Sequence, residues 1–526
     1  MPNPCPVIPR PAQFQPMPGS FLLSAETIIS ADQLDQWNAA YLRDQLSADT
    51  GITIPILEET NGQKSVIRLH LGGDQSILGH EGYTLTVTAG EIEIESPEPA
   101  GVFYGIQSLI QLVAPDTTAK HTIPACRITD HPRFAWRGFM LDEGRHFMGK
   151  ETVLQLLDQM ALQKLNVFHW HLTEDQGWRI EIKRYPKLTE IGSQRKGTSR
   201  GFRGKHDGIP HGGFYTQDEI REIVEYARLR HILVVPEIEF PGHSLAALAA
   251  YPELSCTGGP FEVCTHFGIL PDLYCAGNEE VFTFLENVLD EILALFPSPY
   301  IHIGGDEAPK GRWKKCPKCQ ERIRAEGLKD ENELQVYFTN RIAAYLAERG
   351  RRIIGWNQIL GKGLDLSAIP QFWAFRKKDF LKALEAGHHG ILSSYLEIYL
   401  DHSHALTPLS RAYRYEPVDP ALSAEAAKRI LGLEAPLWAE FVRSKARLDY
   451  QAYPRLPAYA ETAWTPRELK DYPDFHARLE PFLARLRKMG VRHAPLNEAE
   501  PPRYKQWFGI FTIPQPQERD APLPDN

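Results

Sequence analysis

Between Arg137 and Trp438 the chain repeats one pattern: a short apolar run, then in most cases a stretch at helical spacing, then another apolar run. The runs are RGFMLD, NVFHWHL, HILVVPEI, YIHIGG, RRIIGW, QFWAF, GILSS and LGLEAPLW. Intervening segments place Val153, Leu154, Leu157 and Met160, then Ile220, Ile223, Val224 and Ala227, on single helical faces. The second of these opens with T-x-x-E at Thr216–Glu219, a capping box. Glu279 to Phe296 and Asn332 to Glu348 also read as helices. Eight apolar runs, mostly alternating with helices, predict an α/β fold, a closed (β/α)8 TIM barrel. Such a barrel carries its chemistry at the C-terminal ends of its strands. The chemically loaded residues stand there: Asp142, His171, Glu237, Asp306, Glu307, Trp356, Trp373 and Glu440.

The chain outside this region reads differently. SVIRLHLGG, YTLTVTAG and EIEIES alternate as strands, and VFYGIQSLIQLV follows as a helix. This predicts a small α+β domain over residues 1–125, ahead of a catalytic barrel over 126–500. A Pro-rich tail covers 501–526, with its last ten residues expected to be mobile. A net charge of −9 argues against a nucleic-acid partner. No run of about 18 apolar residues exists, so no membrane-spanning helix is expected. MPNPCPVIPRPAQF has neither a basic n-region nor an apolar h-region. That predicts a cytoplasmic protein, the alternative being an exported one whose leader is missing from the chain as written. Of seven cysteines only Cys316 and Cys319 form a C-x-x-C. A structural zinc would need two further ligands, and no second pair is visible, so CPKC is read as thiols of a helix–turn segment.

IHIGGDEAP concentrates the chemistry. Two glycines after a β-run admit close approach to the backbone, and Asp306 and Glu307 follow side by side, pointing in different directions. One carboxylic acid can protonate a leaving oxygen while the other carboxylate stabilises nearby positive charge; a solvated acidic loop is the alternative. Trp356, Trp373 and Trp438 at strand ends, with Tyr399 nearby, fit a sugar pocket, because apolar sugar faces stack on aromatic rings. His169 and His171 form an H-x-H, a spacing that metal-dependent barrel hydrolases also use. Strand alternation sends both to one face, which a hydrogen-bonded barrel interior also explains.

RGFMLDEGRHF, KLNVFHWHLTEDQGWRIEIK, GGFYTQDEI, VVPEIEFPGHS, YCAGNEE and IHIGGDE together resemble the β-N-acetylhexosaminidases of glycoside hydrolase family 20. The resemblance implies an exo-acting, retaining glycosidase with neither cofactor nor metal. It would remove terminal β-linked N-acetylglucosamine, and N-acetylgalactosamine as a second substrate, from an oligosaccharide or glycoconjugate. The substrate's 2-acetamido oxygen would attack the anomeric carbon and form an oxazolinium intermediate. By the same resemblance Glu307 is the general acid, Asp306 orients the acetamido group, and Tyr399 donates to its carbonyl oxygen. Arg137, Asp401 and Glu440 hold sugar hydroxyls, and Trp356, Trp373 and Trp438 wall the pocket. Asp175 and His243 stand behind the acid. The chain departs from the family pattern at Asn357 and Gln358, where acidic residues are common, and at Glu174, where many relatives carry Asp. A non-catalytic carbohydrate-binding barrel and a disaccharide-releasing relative are the alternative readings.

Overall fold

The computed structural model describes residues 5–32, 36–57, 65–113, 121–199 and 205–509. The first unit is a six-stranded sheet of β1 (Gln13–Leu22), β2 (Ile28–Ala31), β3 (Val66–Leu71), β4 (Tyr83–Val87), β5 (Glu91–Ser96) and β6 (Thr122–Asp130), in the order β1-β6-β4-β5-β3-β2. Helix Pro99–Leu112 packs on it, buried on nearly every side. β4 and β5 alternate buried and half-buried residues, as their sequences require. β1 was not legible as a strand because it carries Pro16 and Pro18. It is tolerated at the sheet's edge, where its ladder with β6 shifts register between Pro16 and Ser20. β6 runs on to Asp130, so this unit extends past the expected boundary at residue 125.

The second unit is the expected closed barrel. Its strands are β7 (Trp136–Asp142), β8 (Val167–His171), β9 (Leu233–Glu237), β10 (Tyr300–His302), β11 (Arg352–Trp356), β12 (Ile369–Phe372), β13 (Gly390–Leu392) and β14 (Ile430–Leu437). All are parallel, and β14 closes on β7. Most barrel-strand residues are buried, which is why the strands read as apolar runs rather than alternating ones. The capping box at Thr216 and Glu219 forms as read. Asn278 and Asp330 cap the helices that follow them, Glu279–Leu295 and Glu331–Ala347. The segment expected to be a tail begins with a helix, Arg503–Gly509; the ten residues expected to be mobile lie outside the described residues. No helix among the described residues is long and apolar enough to cross a membrane.

The units meet through buried ion pairs. Lys164 Nζ lies 3.0 Å from Asp130, both side chains fully buried, and Tyr83 and Trp464 also donate to that carboxylate. Arg137 makes a two-pronged pair with Glu81, at 2.7 and 2.8 Å.

Candidate active site

Each of the strands β7 to β11 ends in a polar or aromatic residue at its C-terminal end or just beyond it. Register aligns Asp142 with His171, His171 with Glu237, and Glu237 with His302. Below the pocket, His169 Nδ1 lies 2.7 Å from Glu434 and Nε2 2.9 Å from Glu237. Burial would lower its pKa, but the two carboxylates push it up to about 9, so it is an imidazolium bridging two anions. Glu237 also contacts Nδ1 of His302 at 2.8 Å and accepts from the Trp356 indole at 2.9 Å. The H-x-H thus belongs to a hydrogen-bonded layer that fixes the orientation of a pocket tryptophan.

Above this layer lies a cavity of about 440 Å³. Asp306, Glu307, His243, Trp356, Trp373, Tyr399, Asp401, Trp438 and Glu440 all line it. The chain reaches it from β10 through Gly304 and Gly305, at φ +62° and +87°. A Cβ on Gly304 would lie 1.6 Å from Glu239 Oε2, so only glycine lets the loop pass that carboxylate. Glu307 and His243 also hold left-handed backbone, at φ +44° and +47°. Non-glycine residues persist there only when their surroundings over-determine them. For Glu307 one restraint is visible: its N–H donates to Gln358 Oε1 at 2.6 Å. Asn357 Oδ1 accepts from the Trp373 N–H at 3.0 Å, and its amide donates to Ala374 O. Asn357 and Gln358, at which the chain departs from the expected pattern, therefore hold the backbone of Trp373 and Glu307 in place.

The two carboxylates differ in environment. Asp306 is 8% exposed, and its Oδ1 has no hydrogen-bond partner among the described residues. Burial raises its pKa to about 7 against the opposing charge of His243, with Glu307 and other nearby carboxylates adding to the rise. Glu307 keeps 28% of its side chain exposed. Burial alone would raise its pKa, but the hydrogen bond and charge of His243, with Arg145, hold it below the ordinary value. His243 Nε2 is 3.5 Å from Glu307. Its Nδ1 is 2.8 Å from Glu174 Oε1 and 3.4 Å from Asp175 Oδ2. Burial disfavours the imidazolium, yet these carboxylates raise the His243 pKa well above the usual histidine range. Asp175, expected behind the acid with His243, does contact it, and Glu174 is the nearer partner; Asp175 Oδ1 also accepts from the Leu245 N–H. Glutamate has the extra methylene needed to touch both His243 and Arg145 Nη2, the latter at 3.2 Å.

Arg137 does not belong to the pocket. It is fully buried near the N-terminal end of β7, held by Glu81, Lys164 O and Phe134 O. Five residues of strand, about 17 Å, separate it from Asp142 at the pocket end. The arginine that reaches the cavity is Arg145, in DEGRHF after the strand. Asp142 and Glu174 bracket its guanidinium at 3.3 and 3.2 Å, and it lies over the Trp438 ring at 4.9 Å. Both arginines occur in RGFMLDEGRHF, and the barrel rule distinguishes them, because only Arg145 follows the strand's C-terminal end. Glu239, Tyr395 and Phe441 also line the cavity without having been singled out. Alternation in EIEF signals Glu239, two residues beyond Glu237.

The aromatic residues form one continuous wall. Trp356 and Trp438 centroids lie 5.5 Å apart, Trp438 and Tyr399 6.4 Å, and Tyr399 stacks on Trp373 at 6.5 Å. Residues 134–467 match the catalytic domain of glycosyl hydrolase family 20, and residues 4–131 match domain 2 of the same family. The chain belongs to glycosyl hydrolase family 20. Among its relatives, the beta-hexosaminidase of Porphyromonas gingivalis is 43% identical over 94% of this chain and 65% of its own length. The match thus spans just under two thirds of that relative. Among solved structures, the exo beta-N-acetylglucosaminidase of Vibrio harveyi in complex with N-acetylglucosamine superposes with a TM-score of 0.83. It is 32% identical, covering 94% of this chain and 78% of that one. The N-acetyl-beta-hexosaminidase of Streptomyces plicatus in complex with Thio-NAglucal gives 0.82, also at 32% identity, over 93% and 96% of the two chains.

Proposed function

We propose that this chain is a β-N-acetylhexosaminidase that releases terminal β-linked N-acetylglucosamine, with N-acetylgalactosamine as a second substrate, from oligosaccharides or glycoconjugates. The observation that carries this reading is the pairing of two unlike carboxylates inside one aromatic wall. Asp306 is buried with an unpartnered oxygen; its neighbour Glu307 is half-buried and tied to a charged histidine. A group that must orient and charge-stabilise an amide suits the first position, and a group that exchanges protons suits the second.

The residues divide the work as follows. Asp306 accepts the acetamido N–H, which favours its anion and offsets the rise that burial gives its pKa. Tyr399 donates to the acetamido carbonyl, and the carbonyl oxygen attacks the anomeric carbon as the glycosidic bond breaks. Charge spreads onto the acetamido nitrogen beside Asp306, and an oxazolinium forms. The proton for the leaving oxygen is held on His243. As the sugar excludes water, Glu307 favours its neutral form, takes that proton from Nε2 and passes it to the leaving oxygen; Glu307 then takes a proton from the water that opens the oxazolinium. His243, now neutral, still donates from Nδ1 to Glu174. Arg145, Asp401 and Glu440 read the hydroxyls, and Trp356, Trp373 and Trp438 enclose the ring and the acetamido methyl.

The test compares an aryl β-N-acetylglucosaminide with the matching aryl β-glucoside, which differ only at the 2-position. Turnover of the first alone is expected. Equal turnover would mean that the protein supplies its own nucleophile, and no turnover of either would favour a binding protein or a disaccharide-releasing enzyme. On the active substrate, Glu307→Gln should lower kcat by about 10²- to 10⁴-fold with little change in binding.

A further inference from the structure

The fold brings together four cysteines that are scattered in sequence. Cys256 and Cys275 come from the long segment after β9, and Cys316 and Cys319 from the CPKC that follows the Asp306–Glu307 loop. Their Sγ atoms all lie within 4.8 Å of one another. Three of the separations are 3.8 Å (Cys256–Cys319), 3.6 Å (Cys275–Cys316) and 3.6 Å (Cys275–Cys319). A tetrahedral zinc with Zn–S bonds of about 2.3 Å has sulfur–sulfur edges of about 3.8 Å, which is the spacing seen here. Cys275, Cys316 and Cys319 are buried and Cys256 is half-buried, so the cluster is closed in the manner of a structural site. CPKC begins the helix Pro317–Ala325, with Cys316 at its N-cap. The backbone of Gly277 presses onto Lys318 and Cys319, where an added Cβ would lie 2.1 Å from the Lys318 carbonyl carbon. That close approach holds the two strips of chain in register around the sulfurs.

We propose that these cysteines bind one structural zinc ion as a tetrathiolate site. Four S–H protons leave as four Zn–S bonds form, and no redox change occurs. Lys314, Lys315 and Lys318 flank the two helix-borne ligands and offset the net negative charge of the centre. The site accounts for four of the seven cysteines and leaves Cys5, Cys126 and Cys264 as thiols. Its work is to staple two loops of the catalytic face. Tyr274, beside Cys275, donates its N–H to Pro241 O, two residues before His243. Trp313, three residues before Cys316, donates its indole N–H to Tyr274 O and follows Glu307 by one short loop. The metal thus ties the segment bearing His243 to the segment bearing Glu307.

The full chain, purified without chelator, should contain one equivalent of zinc by elemental analysis. Denaturation with chelator and without reductant should expose seven titratable thiols. Growth with cobalt should give the intense visible bands of a tetrahedral tetrathiolate cobalt centre, a readout that does not depend on a variant folding. Cys256→Ser, at the half-buried corner, should lose most of the zinc and lower the Tm. Stoichiometric zinc retained in Cys256→Ser would overturn the four-cysteine assignment. Three titratable thiols without zinc would show two disulfides, and seven without bound metal a bare thiol cluster; either result overturns the proposal.

Discussion

The two arginines of RGFMLDEGRHF show how much depends on position along one strand. Arg145→Ala removes a charged donor facing the pocket and should lower kcat/KM of the folded fraction about ten- to a hundredfold; it also leaves Asp142 and Glu174 buried without their shared cation, so Tm should fall too. Arg137→Ala leaves Glu81 without its partner at the junction of the two units. It should destabilise the protein by about 3–5 kcal/mol while kcat/KM of the folded fraction is retained. Steady-state kinetics alongside thermal melts would separate the two effects; loss of kcat/KM in the folded fraction of Arg137→Ala but not of Arg145→Ala would return Arg137 to the pocket. Asp306 supports a second prediction. Its pKa rises from 3.8 to about 7 on folding, so between those values the folded state binds more protons than the unfolded state. Its contribution to stability is complete below about pH 4 and is lost as pH climbs through 7. Asp306→Asn abolishes that loss. The Tm of the variant minus that of the wild type should therefore rise between pH 4 and 7, and a flat difference would show that Asp306 is not desolvated in this way. Residue types and their order were enough to find Asp306, Glu307, Tyr399 and the tryptophans. The hydrogen bond from Glu307 to Gln358, and the preference of His243 for Glu174, rest on side-chain reach across separate loops, which no local pattern encodes.

At the scale of elements, the loop after β10 is the most constrained piece of backbone. Gly304→Ala would put a methyl group into Glu239 and force alanine into left-handed backbone. It should lower both Tm and kcat. Gly327 is the control: its φ is +64°, but nothing lies within 4 Å of an added Cβ. Gly327→Ala should cost only about 1–2 kcal/mol and leave kcat unchanged. Equal losses in the two variants would mean that the clash with Glu239 is relieved elsewhere. The barrel strands were legible because burial on both faces leaves uninterrupted apolar runs. β1 escaped notice because proline argues against a strand wherever its edge position is unknown.

At the scale of the molecule, the two units share charges that neither satisfies alone. Lys164 is fully buried against Asp130, and Trp464 of the barrel unit donates to the same carboxylate. Separating the units would leave those groups buried without partners or would expose them together with apolar surface. Urea unfolding followed by far-UV circular dichroism and by tryptophan fluorescence should accordingly give one coincident transition. Two resolved transitions would show that the first unit is stable by itself. The linear pattern already dictated the barrel, because eight apolar runs with helical spacers have few other ways to bury their surface. It also dictated the aromatic and acidic character of the pocket, because strand ends converge on one rim whatever the details of packing. Two things depended on the folded chain: that Glu174 is the nearer carboxylate to His243, and the meeting of Cys256 and Cys275 with Cys316 and Cys319. Each is a contact between segments distant in sequence. Its geometry is set by how the loops close over the barrel rather than by any local propensity.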